Sequence, residues 1–206
     1  MGRRLIAELV RRGISVKALV RSGSKRKLPS GCAAVTGDAL DKNSFASQIA
    51  PADTFVQLVG VTHPNPSKKN EFQAVDLGSA KAAIEAAREA GIKHFVYVSV
   101  AQPAPVMKYY IEVRAKAEAM LRETGMNATI LRPWYVLGPG RRWPIFLKPM
   151  YWLMEQIPST RESARRLGLV TIDQMVGALA RAVENPPRGV RIVSVPEIRG
   201  ESVSLS

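Results

Sequence analysis

The chain has little cysteine and little histidine: one thiol, Cys32, and two imidazoles, His63 and His94, in 206 residues. A single thiol excludes an internal disulfide and fits a reducing compartment, so a cytoplasmic location is expected. The histidines stand apart, without cysteines at ligand spacing, so no metal site is expected. Neither has an acidic or cysteine partner nearby, and neither is expected to act in catalysis. No apolar run reaches the roughly 18 residues that a spanning helix needs. No signal peptide is expected either, because the apolar stretch after Met1-Gly2-Arg3-Arg4 is broken by Glu8 and Arg11. Negative charge is scarce as well: 17 Asp and Glu face 30 Lys and Arg, a formal net charge of +13.

Such a balance attracts phosphates, nucleic acid or an anionic membrane surface; the plainer reading is a basic surface that keeps the protein soluble. The basic residues are spread along the chain, with local clusters at 21–27 and 141–142. No zinc-finger, RNA-recognition or coiled-coil pattern accompanies them, which speaks against a nucleic-acid partner. Apolar residues make up 46% and charged residues 23% of the chain, the composition of a globular domain with a sizeable core.

Periodicity organises most of the length. Leu5, Ile6, Leu9 and Val10 share one face of a helix over 3–12, ended by Gly13. Strands follow at 15–20 and 33–37, then a helix over 41–49 capped by Asp41, and a buried strand at 54–59 running into Gly60. A polar loop from Thr62 to Asn70 leads to a long alanine-rich helix at about 70–90. A strand at 93–99, a helix at 109–124 and a strand at 127–131, stopped by Arg132-Pro133, complete the regular part. Strands alternating with helices of this length build a parallel sheet with helices on both faces, a doubly wound α/β fold. Ligands of such sheets sit beyond the carboxyl ends of the strands.

After Pro133 the pattern changes. Trp134 to Pro158 is rich in Trp, Tyr, Phe, Met and Pro, with Arg141, Arg142 and Lys148 interleaved. A small C-terminal cap on the substrate side is expected at 134–170, within one domain covering 1–206. A helix at 173–185 and a strand at 189–195 then return to the sheet. Within the cap, Trp143, Phe146, Met150, Trp152 and Met154 beside Lys148 have the composition of an interfacial helix. Pro144 and Pro149 argue against one uninterrupted helix there, and a lid packed on the core is the favoured expectation.

Several segments, in order, carry a resemblance: Gly2-Arg-Arg-Leu-Ile-Ala-Glu-Leu-Val-Arg-Arg-Gly13, Ala18-Leu-Val-Arg21, Gly37-Asp38 with Asp41, Tyr97-Val-Ser99, Thr129-Ile-Leu-Arg-Pro133 and Thr171-Ile-Asp173. Together they resemble the atypical and extended short-chain dehydrogenase/reductases, especially NmrA-like NAD(P)-binding proteins and relatives of the complex I accessory subunit. The resemblance implies a Rossmann-like domain, an NADP or NAD cofactor and an unknown small-molecule substrate. In that family a strand and a Gly-x-x-Gly-x-x-Gly turn precede the first helix, and the turn's backbone N–H groups hold the pyrophosphate. Here only the last of these glycines, Gly2, is present. The resemblance therefore implies a chain lacking its first strand, two strands facing an unfilled slot, and weakened cofactor binding.

Other positions carry over one by one. Arg21 follows the second family strand, where a basic residue meets a ribose 2′-phosphate. With Lys25, Arg26 and Lys27 behind it, NADP is preferred over NAD, unless this is only a solvated basic loop. Asp38 stands where the family's aspartate reaches the adenine amino group, or it caps a turn. Val59 and Gly60 fall in the loop whose backbone lines the cofactor, although Gly60 also suits a plain strand-ending turn.

Catalytic members use Tyr-x-x-x-Lys on one helical face, the tyrosine moving the proton and the lysine lowering its pKa. The matching pair here is Tyr110 and Arg114, and arginine's planar fork does not copy a lysine's point charge. Lys116 lies about 240° around the helix from Tyr110 and does not replace it. The substrate-positioning serine corresponds to Ser99, with Val100 as the competing position. Glu118 reads as a structural partner, and Arg132 either points into the cleft or fixes a loop. The functions implied are an NAD(P)-binding protein with weak or lost redox chemistry, or an NADPH-dependent reductase or epimerase-like enzyme using Tyr110. A third is a structural protein associated with a membrane or respiratory complex. Oligomeric state is not legible.

Overall fold

The computed structural model describes residues 1–62, 64–138 and 167–201. The element order is α1 (Gly2–Arg11), β1 (Val16–Val20), β2 (Cys32–Thr36), α2 (Ala46–Ile49), β3 (Thr54–Gln57), α3 (Lys69–Glu71) and α4 (Gly78–Glu89). It continues with β4 (His94–Val98), α5 (Lys108–Glu123), β5 (Asn127–Leu131), β6 (Tyr135–Leu137), β7 (Leu169–Thr171), α6 (Ile172–Glu184), β8 (Val190–Val193) and α7 (Val195–Arg199). A π-helical segment, Phe72–Leu77, joins α3 to α4.

All strand pairings are parallel. β3, β4, β5 and β8 form one four-stranded sheet in that order, β1 and β2 pair with each other, and β6 pairs with β7. No ladder joins β1 to β3 among the described residues.

The strands are apolar on both faces because both faces are covered. Phe95, Tyr97, Ala128 and Ile130 point to one side and pack with Phe45, Ala83, Ala87 and Leu121 of the helices there. Val96, Leu131 and Val193 point to the other and pack with Leu5 and Leu9 of α1 and with Met175 and Leu179 of α6. β1 contributes to both clusters, Leu19 to the first and Val16 to the second, as do Phe55 and Val56 of β3. The two sheets thus share their cores. Each fully buried leucine contributes roughly 1.5–3 kcal/mol.

Two expectations need correction. The helix expected over 41–49 is a 3₁₀ turn, Lys42–Ser44, followed by α2. Asp41 does cap it, accepting the Asn43 N–H at 3.0 Å, but Phe45 leaves the helical region at φ −138 and buries its ring completely. Core packing overrides the local pattern there. The β6–β7 pair was not expected; its strands lie at the two ends of the segment where a cap is expected, and residues 139–166, including Arg141, Arg142 and Trp143 to Ile157, lie outside the described residues. His63 also lies outside them. No helix among the described residues is long and apolar enough to cross a membrane.

His94 is a strut in this sheet. It is buried, with Nδ1 3.2 Å from Thr54 Oγ1 and Nε2 3.0 Å from Thr129 Oγ1. Burial lowers its pKa below the ordinary value, so the unfolded chain takes up the proton first. Stability therefore holds above about pH 6.5 and falls as pH drops below it. The expected result is a melting temperature that declines from about pH 7 to about pH 5, with His94→Gln flattening that decline. An unchanged slope in His94→Gln contradicts the assignment.

Candidate functional site

The residues singled out from the sequence lie at or just beyond the carboxyl ends of successive strands, or at the starts of helices. Gly2 opens α1, whose N-cap, Met1, makes no side-chain capping bond. A Cβ on Gly2 would meet only Leu58 Cδ1, at an ordinary 3.9 Å, so packing alone does not demand glycine. Arg21 follows β1 directly, is exposed and makes no ion pair among the described residues. Asp38 lies two residues beyond β2, exposed, and its carboxylate accepts the Leu40 N–H at 3.0 Å, the geometry of a turn cap. Gly37 before it is sterically required: a Cβ there would sit 2.9 Å from Ser44 Oγ and 3.0 Å from Phe45 Cβ.

The loop after β3 is built around an ion pair that sequence reading missed. Asp76, in the π-helical segment, pairs through Oδ1 with Nη2 of Arg114 from α5. Both are buried, at 1% and 6% exposure. Asp76 Oδ2 also accepts the Val61 N–H at 3.1 Å. A Cβ on Gly60 would fall inside hard-sphere distance of Arg114 Nη2 and 2.9 Å from Asp76 Oδ1. Gly60 is therefore required for the guanidinium to pass against the backbone; it does not end the strand, because β3 stops three residues earlier at Gln57. Val59 beside it is 37% exposed.

Arg114 also donates through Nη1 to the Val98 carbonyl at 2.8 Å and to the Tyr97 hydroxyl at 3.3 Å. Burial works against its charge, but the Asp76 carboxylate and the hydrogen bond to the Tyr97 hydroxyl hold it protonated. Burial also raises the Asp76 carboxyl above the usual range, with Arg114 and the Val61 N–H opposing it. The Tyr97 hydroxyl is likewise raised by burial, against the pull of Arg114. Arg114 Nε is buried with no hydrogen-bond partner among the described residues.

Tyr110, one turn before Arg114, is half-buried. Its ring lies 4.9 Å from Phe72 and 5.2 Å from the guanidinium carbon of Arg114. It lines a cavity of about 380 Å³ together with Pro66, Lys69, Phe72, Met107, Lys108, Tyr109 and Glu112. The buried Arg114–Asp76 pair thus stands beside a tyrosine that lines a cavity.

Ser99 does not share that cavity wall. Its buried hydroxyl donates to Glu118 Oε1 at 2.6 Å. Glu118 also accepts from Gln102 at 2.8 Å, from Arg122 at 3.0 Å and from Arg132 at 3.0 and 2.6 Å. Burial disfavours the Glu118 carboxylate, yet these donors pull its pKa below the ordinary value. Glu118 is the structural partner its position suggested, and Arg132 fixes the loop.

A dinucleotide fits parts of this arrangement. The buried Arg114 Nε has no acceptor among the described residues, Val59 is exposed after β3, and Arg21 offers exposed positive charge. The start of α1 is the element left for a pyrophosphate.

A family model described as NAD(P)H-binding matches residues 1–142. The ceramide reductase of Caulobacter vibrioides is 23% identical over 201 residues, covering 97% of this chain and 62% of the relative. The photosystem II assembly factor Ycf39 of Cyanophora paradoxa is 26% identical over 140 residues, covering 64% of this chain and 41% of the relative. The chain thus spans less than two thirds of the length of either. Among solved structures, the Thermus thermophilus UDP-glucose 4-epimerase complex with NAD superposes with a TM-score of 0.67 at 17% identity, over 98% of this chain and 80% of that one. At that identity the likeness shows the fold alone.

Proposed function

The chain belongs to the NAD(P)H-binding family, and we propose that it binds NADP(H) in preference to NAD(H) while its own redox chemistry is weak or lost. The observation that carries the second half is the state of Ser99 and Arg114. Both are buried, and their polar groups are committed to Glu118, Asp76, Val98 and Tyr97. An arginine held this way keeps the loop after β3 in place, and its one uncommitted donor, Nε, is buried. When bound, the cofactor supplies a hydride for a carbonyl carbon.

Around it, Arg21 would meet the 2′-phosphate and Asp38 the adenine amino group, and the Val59–Gly60 backbone would line the dinucleotide. The pyrophosphate goes to the start of α1 at Gly2.

A second reading is a reductase in which Tyr110 delivers the proton to the carbonyl oxygen, backed by the Arg114 charge. The cavity at Tyr110 favours it, as does the name of the Caulobacter relative. Oxidation of NADPH by a panel of aldehydes and ketones decides between them. The first reading predicts turnover below about 1 s⁻¹, under the range of ordinary enzymes. Faster turnover that Tyr110→Phe reduces by about 10²–10⁴-fold establishes the second. A third reading, association with a membrane or respiratory complex, rests on residues 143–157, outside the described ones.

A further inference from the structure

The cavity beside Tyr110 has a chemical character of its own. Phe72, 1% exposed, backs the Tyr110 ring, which is tilted against it at 55°. Tyr109 and Met107 extend the apolar wall. The charged residues lining the cavity are two lysines, Lys69 and Lys108, and a single carboxylate, Glu112. The Lys69 ammonium lies 5.8 Å from the centre of the Tyr109 ring, a weak attraction that brings it to this side of the cavity. Lys108 is the first residue of α5, and the first turn of that helix holds no acidic residue. A cation at that end of a helix is unfavourable by itself, so an anion at the rim would relieve both lysines at once. At about 380 Å³ the space falls within the range of small-molecule sites.

We infer that this cavity binds the body and the acid group of a carbonyl compound built as an aromatic or other flat apolar skeleton bearing a carboxylate. The skeleton packs against Tyr109 and Tyr110, and the carboxylate sits between Lys69 and Lys108. Rings stacked on these side chains gain from both burial and edge-to-face packing. The orientation leaves the far end of the molecule beside Tyr110. This substrate class rests on the reading of Tyr110 as a residue that faces substrate, but the binding itself needs neither cofactor nor turnover.

The test uses 1-naphthoate as the probe and 1-naphthylmethylamine as its cationic counterpart, each titrated into the whole chain and followed by ¹⁵N chemical shifts. Naphthoate is expected to shift residues around Phe72 and Tyr110 and to bind at least about tenfold tighter than the amine, the difference that opposed rim charges produce. Lys69→Gln/Lys108→Gln, two exposed positions that the core does not use, should weaken naphthoate about fivefold, and Glu112→Gln should tighten it about twofold. Equal binding of the two probes, naphthoate binding unchanged in the double lysine variant, or no naphthoate binding each overturns the inference. NADPH titration of the same samples separates the two readings. Loss of the naphthoate pattern with NADPH binding intact sinks the cavity alone; the pattern without NADPH binding leaves the cavity standing and sinks the cofactor reading.

Discussion

Asp76→Ala lowers the stability of the protein by about 3–5 kcal/mol, the cost of leaving a buried charge without its partner. In that variant Arg114 keeps the Val98 carbonyl, the Tyr97 hydroxyl and its contacts with the Tyr97 and Tyr110 rings, none of which carries a negative charge. For a chain of this length the loss corresponds to a fall in melting temperature of about 10 °C. Denaturant unfolding reads it directly, with the midpoint falling and the slope preserved. The companion variant Asp76→Leu/Arg114→Met removes both charges and should recover most of the loss, because an apolar pair of similar volume serves a buried site about as well. An Asp76→Ala protein as stable as the parent would mean that the pair is solvated and does not anchor the loop at Gly60.

Glu118→Ala is expected to cost about 2–4 kcal/mol, a little less because part of its network reaches water. Glu118 itself is 1% exposed, but the Arg132 and Arg122 side chains are 23% and 41% exposed and can be rehydrated. Ser99 and Gln102 cannot follow so easily, so the segment after β4 should lose hydrogen-exchange protection ahead of the rest of the sheet. The pH dependence has a definite sign. The folded pKa of Glu118 lies below its ordinary value, so its contribution is complete above that ordinary value and is lost as pH falls through the folded one. Glu118→Ala should therefore lose part of the parent's acid sensitivity. Full exchange protection in the variant would show that the loop is held by other contacts.

These two carboxylates mark the limit of what sequence makes legible. The strands and most helices announce themselves because apolar side chains repeat with the period of each element, and the observed bounds differ by a residue or two. Asp76 gave a local signal that went unread: Phe72, Asp76, Ala80 and Ala83 follow helical spacing, so a carboxylate stood in a buried stripe. Its partner is 38 positions away, and no local pattern names it. Glu118 was anticipated as structural, but its partners Ser99, Gln102 and Arg132 come together only when β4, α5 and β5 pack. The β6–β7 pair escaped notice because its strands, Tyr135–Leu137 and Leu169–Thr171, are short and lie far apart in sequence. Among the candidate site residues, the four-residue spacing of Tyr110 and Arg114 did place them side by side. That Arg114 turns inward to Asp76 is a matter of burial, which spacing does not report.

The central claim is tested most directly by calorimetric titration of NADPH and NADH into the 206-residue chain, with Arg21→Ala in parallel. The account predicts NADPH binding at least about tenfold tighter than NADH, the worth of one charge-assisted hydrogen bond to the 2′-phosphate, and loss of that difference in Arg21→Ala. Equal affinity for the two cofactors contradicts the assigned preference, and no binding of either contradicts the proposal as a whole.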